Sequence, residues 1–299
     1  MGAGRPGRVG SGPSQVGDAV AAATEILAAA GVASPRHDAE ALAAHLLGVG
    51  RGDLVRHETL DRPAYDALVA RRAAREPLQH LTGRAAFRHV EVAVGPGVFV
   101  PRPETEMTAG AAIEAARALD RPVVADLYSG SGAIAISVAH EVPSAVVHAV
   151  ESEDDAVAWL RRNASGTAVV VHHADVDGCL PDMDGGVDVV VANPPYVPLG
   201  AVIRDPEVTA HDPASALWSG DDGLDAFRVL ELSAARLLRP GGLLVAEHAD
   251  EQGVAAPAVF ADPARWFDVA DHADLAGRPR YLTARRVDAG GSSPDRRPS

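Results

Sequence analysis

The junction at residues 187–196 constrains the fold of this chain most strongly. The run Val187–Ala192 is almost continuously apolar, which predicts a buried strand. Two prolines follow Asn193, and the strand must end there because proline donates no backbone hydrogen bond and fixes its φ angle. A buried strand that ends in polar groups is typical of open α/β sheets, which bind ligands at the carboxyl ends of their strands.

The tetrapeptide Asn193-Pro194-Pro195-Tyr196 suits a substrate with a planar NH₂ group. The Asn193 side chain and the Pro194 carbonyl are held outward as acceptors, and the Tyr196 ring offers a stacking plane. The nitrogen of an amide or of a base amine is a poor nucleophile because its lone pair is delocalised. Two acceptors that hold its hydrogens orient it and stabilise the positive charge that grows as it attacks an electrophile. Alone, the tetrapeptide also fits a plain proline-rich turn.

Upstream, the strand-like run Val123–Leu127 leads into a turn with two glycines and then into a helical pattern. Gly130 and Gly132 allow the backbone to approach a ligand closely, and the start of the helix presents free N–H groups. This arrangement is typical of a nucleotide-binding βα turn.

Two acidic residues follow the next two predicted strands. Glu151, 21 residues after Gly130, is placed to accept hydrogen bonds from both ribose hydroxyls of a nucleoside. Asp175 can accept from an adenine amino group while the apolar Val176 covers the ring. Because all these groups follow successive strands, they predict one nucleoside-binding crevice.

Two enzyme classes bind a nucleoside in this way. A dinucleotide oxidoreductase favours Gly-x-Gly-x-x-Gly, and here Ala135 replaces the third glycine, which the looser form of the motif tolerates. A dehydrogenase has no use for the Asn-Pro-Pro-Tyr junction, whereas a methyltransferase that uses S-adenosylmethionine needs an amine-binding group beside the methyl. The fourth strand therefore favours a methyltransferase.

Further segments narrow the assignment to one family. They are Pro77-Leu-Gln-His-Leu-Thr-Gly, Val98-Phe-Val-Pro-Arg-Pro-Glu-Thr-Glu, Asp126-Leu-Tyr-Ser-Gly-Ser-Gly-Ala-Ile-Ala, Asn193-Pro-Pro-Tyr-Val-Pro, His211-Asp-Pro-Ala-Ser-Ala-Leu, Gly220-Asp-Asp-Gly-Leu-Asp, Arg239-Pro-Gly-Gly, Glu247-His-Ala-Asp-Glu-Gln and Gly277-Arg-Pro-Arg-Tyr. From about Leu78 to Arg286, the chain resembles the protein-(glutamine-N(5)) methyltransferases, the PrmC/HemK family. That family modifies the glutamine of the Gly-Gly-Gln loop in peptide chain release factors.

The resemblance implies a fold and, with the residue pattern, a site. The fold is α/β, a class I methyltransferase with a Rossmann-like, mainly parallel sheet and an antiparallel edge strand, preceded by a small all-helical domain and a β-hairpin linker. The residues assigned to the cofactor S-adenosylmethionine are Tyr128, Ser129, Gly130, Ser131, Gly132, Glu151, Asp175, Val176 and Asn193. The residues assigned to the substrate glutamine are Asn193, Pro194, Pro195 and Tyr196, of which Asn193, Pro194 and Tyr196 act in catalysis.

The chain departs from the family pattern at three positions. Tyr128 stands where the family usually has glycine, and a tyrosine with positive φ is strained. Glu151 replaces the commoner aspartate and reaches the same hydroxyls with a longer side chain. His80 replaces the usual tyrosine of its segment. None of these changes removes a group that the chemistry requires.

The patterning predicts five successive regions. Residues 1–12 and 287–299 read as disordered tails because they are rich in glycine, proline and polar residues. Residues 13–84 are expected to form a helical substrate-recognition domain, with helices opening at Ser34-Pro35 and near Pro63. Residues 85–103 form the hairpin linker around Gly95-Pro96-Gly97, and residues 104–286 form the methyltransferase domain with its antiparallel edge at 266–285.

The composition of the chain limits the kinds of partner that the protein is expected to bind. The formal net charge is −14, with 41 acidic and 27 basic residues, which disfavours long-range attraction to nucleic acid or to an anionic membrane. The single cysteine, Cys179, agrees with a reducing cytosol. The adjacent His172 and His173 face opposite sides of a strand, which argues against a metal site. We therefore expect a cytoplasmic monomer that acts on a free protein, without a metal or a membrane segment.

Other interpretations stay open at this point. A ribosomal protein can carry the glutamine, and an adenine N6 amine of nucleic acid also fits the tetrapeptide, although the charge opposes it. A cofactor-binding scaffold without turnover belongs to another class altogether. Glu104 and Glu106 either brace the active-site loop or begin a helix, where acidic residues are favoured.

Overall fold

The computed structural model describes residues 14–288, apart from the Ser14 side chain. The described chain forms two compact units, one of residues up to Gly83 together with Arg204–His211, and one of Arg84–Ile203 together with residues from Asp212 onward. The predicted tails fall outside the described residues except at positions 287 and 288. There the Val287 amide donates to the Arg265 carbonyl over 2.8 Å.

The first unit is helical, as the sequence predicts. It contains α1 Val16–Ala29, α2 Pro35–Leu47, α3 Arg62–Ala73, α4 Leu78–Thr82 and a later helix, Pro206–His211, with the short strands β1 Ser14–Gln15 and β2 Thr59–Leu60. α2 begins at Pro35 because proline suits the first turn of a helix. The buried Tyr65 joins α3 to α2 by donating its hydroxyl hydrogen to the Ala39 carbonyl over 2.8 Å.

The segment Arg204–His211 lies with these helices, although the sequence analysis assigned it to the methyltransferase domain. Arg72 is buried, with 6% of its side chain exposed, and it donates to both Asp38 and Glu207 over 2.8 Å. Arg75 adds a second contact to Glu207 at 2.7 Å. Burying a guanidinium costs free energy unless carboxylates pair with it. The need of Arg72 for such a partner explains why the segment that carries Glu207 lies with these helices.

The second unit contains one large sheet and one hairpin. Its elements are β3 Arg84–Phe87, β4 Val90–Ala93, α5 Thr105–Arg117, β5 Val123–Leu127, α6 Ala133–Glu141, β6 Val146–Glu151, α7 Asp154–Ala164, β7 Val169–His173, β8 Val187–Ala192, α9 Asp225–Leu237, β9 Leu238–Glu247, α10 Ala255–Val259, β10 Trp266–Ala273 and β11 Pro279–Arg286; the helix Pro206–His211 of the first unit is α8. The seven-stranded order is β10-β11-β9-β8-β5-β6-β7. Strands β5 to β9 are parallel, and β10 and β11 are antiparallel at one edge. This confirms the predicted class I architecture.

The predicted position of the hairpin turn was wrong. The strands β3 and β4 pair from Arg84 with Ala93 to Phe87 with Val90, so the turn lies at residues 88–89 and not at 95–97. Arg88 adopts a left-handed φ of 51°. Its amide donates to Glu106 over 3.0 Å and its side chain to Glu141 over 2.6 Å, so tertiary contacts hold a conformation that usually signals glycine.

Gly95 and Gly97 have a packing role instead. A Cβ atom on Gly95 would lie 2.6 Å from the Trp159 ring, and one on Gly97 would lie 2.7 Å from the Asp155 side chain. Two apolar clusters, both buried, fill the rest of this unit. Within residues 14–288, no helix is long and apolar enough to cross a membrane, and no group of three or more histidine, cysteine or acidic side chains is arranged to hold a metal ion.

Candidate active site

The site forms where the strand order reverses. β5 pairs in parallel with both β6 and β8, and Leu127 lies opposite Ala192. The residues that follow, Tyr128 and Asn193, therefore leave the sheet side by side. This is the switch point at which open α/β sheets bind ligands.

The glycine turn after β5 is left-handed at three residues. Tyr128 has φ 64°, Gly130 has φ 54° and Gly132 has φ 85°. Tyr128 thus takes a left-handed conformation although a tyrosine adopts it only at a steric cost. Its hydroxyl reaches the Ala226 carbonyl at 3.4 Å, its ring packs against the core, and burial raises its pKa.

The two glycines of this turn have different roles. A Cβ on Gly132 would lie 2.5 Å from Leu160, so this glycine serves helix packing. Nothing lies within 4 Å of a Cβ on Gly130, so only this glycine faces open space. Ser129 and Ser131 are buried; the Ser129 hydroxyl donates to the Asp126 carbonyl over 2.8 Å.

Glu151 accepts three backbone hydrogen bonds at the edge of the crevice. One carboxylate oxygen accepts the Gly130 amide over 2.8 Å, and the other accepts the amides of Ser152 and Glu153 over 2.8 and 3.0 Å. A carboxylate has about four acceptor positions. The structure thus fixes Glu151 against the glycine turn with three positions filled and further acceptor capacity left.

The structure links the two residues after β7 to the crevice less directly than the sequence predicts. Asp175 is exposed and accepts the Asp177 amide over 2.8 Å. Val176 is buried in the core, and its carbonyl accepts the Ser233 hydroxyl over 2.9 Å. The Val176 side chain is therefore a core residue at the edge of the site.

Asp126 belongs to the site, although the sequence analysis gave it no role. It is fully buried, one carboxylate oxygen accepts the Ala135 amide over 3.0 Å, and the other has no hydrogen-bond partner among the described residues. Burial raises its pKa to about 7 against the lowering effect of that amide.

On the other side of the crevice, Asn193 is half-buried and its side-chain nitrogen donates to the Thr105 hydroxyl oxygen over 3.3 Å. Pro194 is buried, and Pro195 and Tyr196 are half-buried. Burial raises the pKa of the Tyr196 hydroxyl, so it stays neutral. Thr105 lies in the segment in which bracing had been expected from Glu104 or Glu106. Glu106 instead supports the hairpin through the Arg88 amide.

Gln252 and Gly223 fix the backbone of Tyr196. The Gln252 side-chain nitrogen donates to the Tyr196 carbonyl over 3.1 Å and to the Gly223 carbonyl over 3.3 Å. A Cβ on Gly223 would lie 2.4 Å from the Tyr196 carbonyl oxygen. Both residues lie in segments that carried the family resemblance, which was the only signal available for them.

A buried acid, Glu247, completes this side. It ends β9, is 2% exposed, and accepts the Thr108 hydroxyl over 3.3 Å. Nearby, Arg102 pairs with the buried side chain of Asp212 at 2.6 Å. Sequence reasoning assigned neither Glu247 nor Thr105 a role because both contacts join distant parts of the chain.

Family models match both parts of the chain. The PrmC N-terminal domain matches residues 18–83, and the methyltransferase small domain matches residues 90–205. These ranges correspond to the helical unit and to the part of the sheet unit that carries the glycine turn and Asn193.

Curated relatives match nearly the whole chain. A release factor glutamine methyltransferase of Streptomyces coelicolor is 56% identical over 90% of this chain and 97% of its own length. That of Mycolicibacterium smegmatis is 49% identical over 90% and 97%. A 4-amino-L-phenylalanine/4-methylamino-L-phenylalanine methyltransferase of Streptomyces pristinaespiralis is 41% identical over 82% and 86%.

Proposed function

The chain belongs to the release factor glutamine methyltransferase family, and we propose that it methylates the side-chain nitrogen of the glutamine in the Gly-Gly-Gln loop of peptide chain release factors. The methyl donor is S-adenosylmethionine. The observation that carries the proposal is the position of Asn193 beside the glycine turn, with its nitrogen engaged by Thr105.

The cofactor fits the residues on the β5 and β6 side. The open space over Gly130 lets a ligand approach the protein backbone there. The unused acceptor positions of the Glu151 carboxylate suit the ribose hydroxyls. Asp126, on the strand that leads into this turn, has one carboxylate oxygen without a hydrogen-bond partner among the described residues. When bound, S-adenosylmethionine supplies an electrophilic methyl on a sulfonium.

The substrate amide fits the residues on the β8 side. The Asn193 side-chain oxygen and the Pro194 carbonyl accept its two hydrogens, and the Tyr196 ring packs on its plane. Transfer of the methyl group from the bound cofactor to this nitrogen would leave the nitrogen with an extra proton, which it would lose during or after the attack. No strong base is needed because a protonated amide is very acidic, so positioning and acceptor dipoles provide the rate.

We assign recognition of the release factor protein to the helical unit, and we place the reaction in the cytoplasm. Within this unit, Arg72 and Arg75 form ion pairs with Glu207 of the segment Arg204–His211, so deleting only residues up to 83 would strip Glu207 of its partners in the remaining chain. Hydrogen exchange on the full chain is the suitable test. Protection of residues 16–82 by release factor supports the role, and protection confined to residues 84–203 refutes it.

A labelling panel tests the proposed acceptor. The protein is incubated with labelled S-adenosylmethionine and, in parallel, release factor, ribosomal proteins, DNA, or 4-amino-L-phenylalanine. We expect label only in release factor. The last acceptor is included because one relative is named for it and because its aromatic amine is also planar. Label in any other acceptor, with release factor unlabelled, overturns the assignment.

A further inference from the structure

Asn163 links three parts of the sheet unit that are distant in sequence. It lies in the last turn of α7, the helix that follows β6 and Glu151. Its side-chain oxygen accepts the Ala93 amide over 2.8 Å. Its side-chain nitrogen donates to the Ala93 carbonyl over 2.8 Å and to the Ser131 carbonyl over 2.9 Å. One side chain therefore ties α7 to the end of β4 and to the glycine turn.

The partners of Asn163 fix the orientation of its amide. An asparagine side chain has two hydrogens on its nitrogen and an oxygen that accepts. Turned by 180°, it would set its NH₂ group against the Ala93 amide and its oxygen against two carbonyls, so only the observed orientation satisfies all three contacts. Asparagine is also a poorer helix former than alanine. The tertiary contacts, and not the helix, therefore explain why asparagine stands here.

The glycine turn needs support because its backbone is strained. Tyr128, Gly130 and Gly132 all have left-handed φ angles, and such a conformation at a tyrosine persists only where the surroundings hold it. Glu151 accepts the Gly130 amide, and the Gly132 amide donates to the Ser129 carbonyl over 2.8 Å. Both of these contacts hold N–H groups of the turn.

Asn163 holds a carbonyl group of the same turn. Ser131 is buried, and a buried carbonyl costs free energy when it has no hydrogen-bond donor. Asn163 provides that donor, so the peptide group between Ser131 and Gly132 is held at its oxygen as well as at its nitrogen. We propose that Asn163 is a positioning residue that holds the glycine turn in shape for S-adenosylmethionine; this rests on the cofactor site of the proposed function.

The proposal separates cofactor binding from turnover. A turn that is ordered before the cofactor arrives has less conformational freedom to lose on binding. Without Asn163, part of the binding free energy would be spent on ordering the turn, so the Kd for S-adenosylmethionine should rise. At saturating cofactor the bound ligand itself orders the turn, and Asn193 on the substrate side is unchanged, so kcat should stay within about twofold of wild type.

Trp159 provides a matched control on the same helix. It lies one turn before Asn163, and its indole nitrogen donates to the Pro96 carbonyl over 3.2 Å. It thus joins α7 to the linker, but this hydrogen bond does not go to the glycine turn. Asn163→Ala should raise the Kd for S-adenosylmethionine, measured by calorimetry, about fivefold to tenfold. Trp159→Phe should leave that Kd within about twofold of wild type.

Hydrogen exchange reports on the turn itself. In Asn163→Ala without cofactor, the Gly132 amide should exchange about fivefold faster than in wild type, and saturating S-adenosylmethionine should restore its protection. A purely structural role would speed exchange along α7 and β4 and leave the turn and the Kd as in Trp159→Phe. Thermal unfolding identifies variants that fail to fold, and the smaller change Asn163→Ser then carries the comparison.

Two results would overturn the inference. One is a Kd and a Gly132 exchange rate that stay at wild-type values in the Asn163 variants. The other is an equal rise of the Kd in Trp159→Phe. The calorimetry needs no release factor, so a wild-type protein that binds S-adenosylmethionine but leaves release factor unmethylated would refute the proposed substrate and not the role of Asn163.

Discussion

The two sides of the crevice are held in place by different kinds of group. At the ends of β5 and β6, three backbone amides converge on the single side chain Glu151. At the ends of β8 and β9, side chains bond to other side chains, as in the link from Asn193 to Thr105. On the cofactor side, one carboxylate, Glu151, thus collects the backbone hydrogen bonds, whereas on the substrate side separate side-chain contacts hold separate residues.

The largest expected effect is on the substrate side. Asn193→Ala should lower kcat by about 10² or more because one preorganised hydrogen-bonding group is lost at the reacting nitrogen. The Kd for S-adenosylmethionine should change far less. Initial rates and calorimetry on the same preparation check both values. An equal loss in kcat and in cofactor affinity would contradict the proposed difference between the substrate side and the cofactor side.

The opposite pattern is expected from Glu151→Gln. Weakening charge-assisted hydrogen bonds should raise the Kd for S-adenosylmethionine about tenfold or more, while kcat at saturating cofactor stays within about threefold of wild type. The exposed Glu153 lies two residues away, and Glu153→Gln is the control. If Glu153→Gln weakens binding as much, the effect is one of general charge and Glu151 has no special role.

Gly223→Ala should disturb the backbone of Tyr196. The new methyl would lie 2.4 Å from the Tyr196 carbonyl oxygen at a residue with φ 75°, so the free energy of unfolding should fall by about 2 kcal/mol or more and turnover should fall with it. Gly185→Ala separates the two causes because its φ is 65° with nothing within 4 Å. We expect that control to lose only about 1–2 kcal/mol and to keep full turnover.

The buried acid of the cofactor side should make stability depend on pH. Asp126 has its pKa raised by burial from 3.8 to about 7, so between these values the unfolded chain releases a proton that the folded chain keeps. The free energy of unfolding of wild type, relative to Asp126→Asn, should therefore fall as pH rises from about 4 to about 7 and then level off. Urea unfolding at several pH values measures it.

The exposed Asp222 provides the control for that experiment. Its pKa is lowered, chiefly by the hydrogen bond from Arg228, so any stability it contributes is present above its ordinary pKa and is lost as pH falls. The free energy of unfolding of wild type, relative to Asp222→Asn, should thus change slightly with pH in the direction opposite to that for Asp126→Asn. Parallel trends for the two variants would contradict the assignment of the effect to burial.

The smallest expected effect concerns the strained turn. Tyr128→Phe removes the 3.4 Å contact of the hydroxyl with the Ala226 carbonyl but keeps the packing of the ring. Stability should drop by about 0.5–1 kcal/mol, with cofactor affinity unchanged within about twofold. Chemical denaturation and calorimetry check the two values. A large loss of affinity would mean that the hydroxyl itself supports the cofactor side.

Local sequence patterns predicted the structural features that depend on residues close together in the chain. The apolar runs before Tyr128 and Asn193 form β5 and β8, and Pro35 begins α2, because strand periodicity and proline geometry act over a few residues. Such features are fixed by local sterics, so a single sequence reveals them.

The features that escaped prediction join distant residues. Thr105 and Asn193 are 88 positions apart, and Gln252 and Tyr196 are 56 apart. The turn at Arg88 was missed because Glu106 and Glu141 stabilise a conformation that local sequence disfavours. Tertiary hydrogen bonds of this kind leave no periodic signal, although several of these residues lie in the segments that carried the resemblance.

Identification of the atom that receives the methyl group tests the proposed reaction most directly. Release factor with nitrogen-15 in its glutamine side chains is incubated with the protein and with S-adenosylmethionine that carries carbon-13 in the methyl. We expect one new methyl signal coupled to nitrogen-15, located in the Gly-Gly-Gln loop and lost with Asn193→Ala. A methyl without that coupling, or one that persists at the wild-type rate in Asn193→Ala, would contradict the proposed reaction.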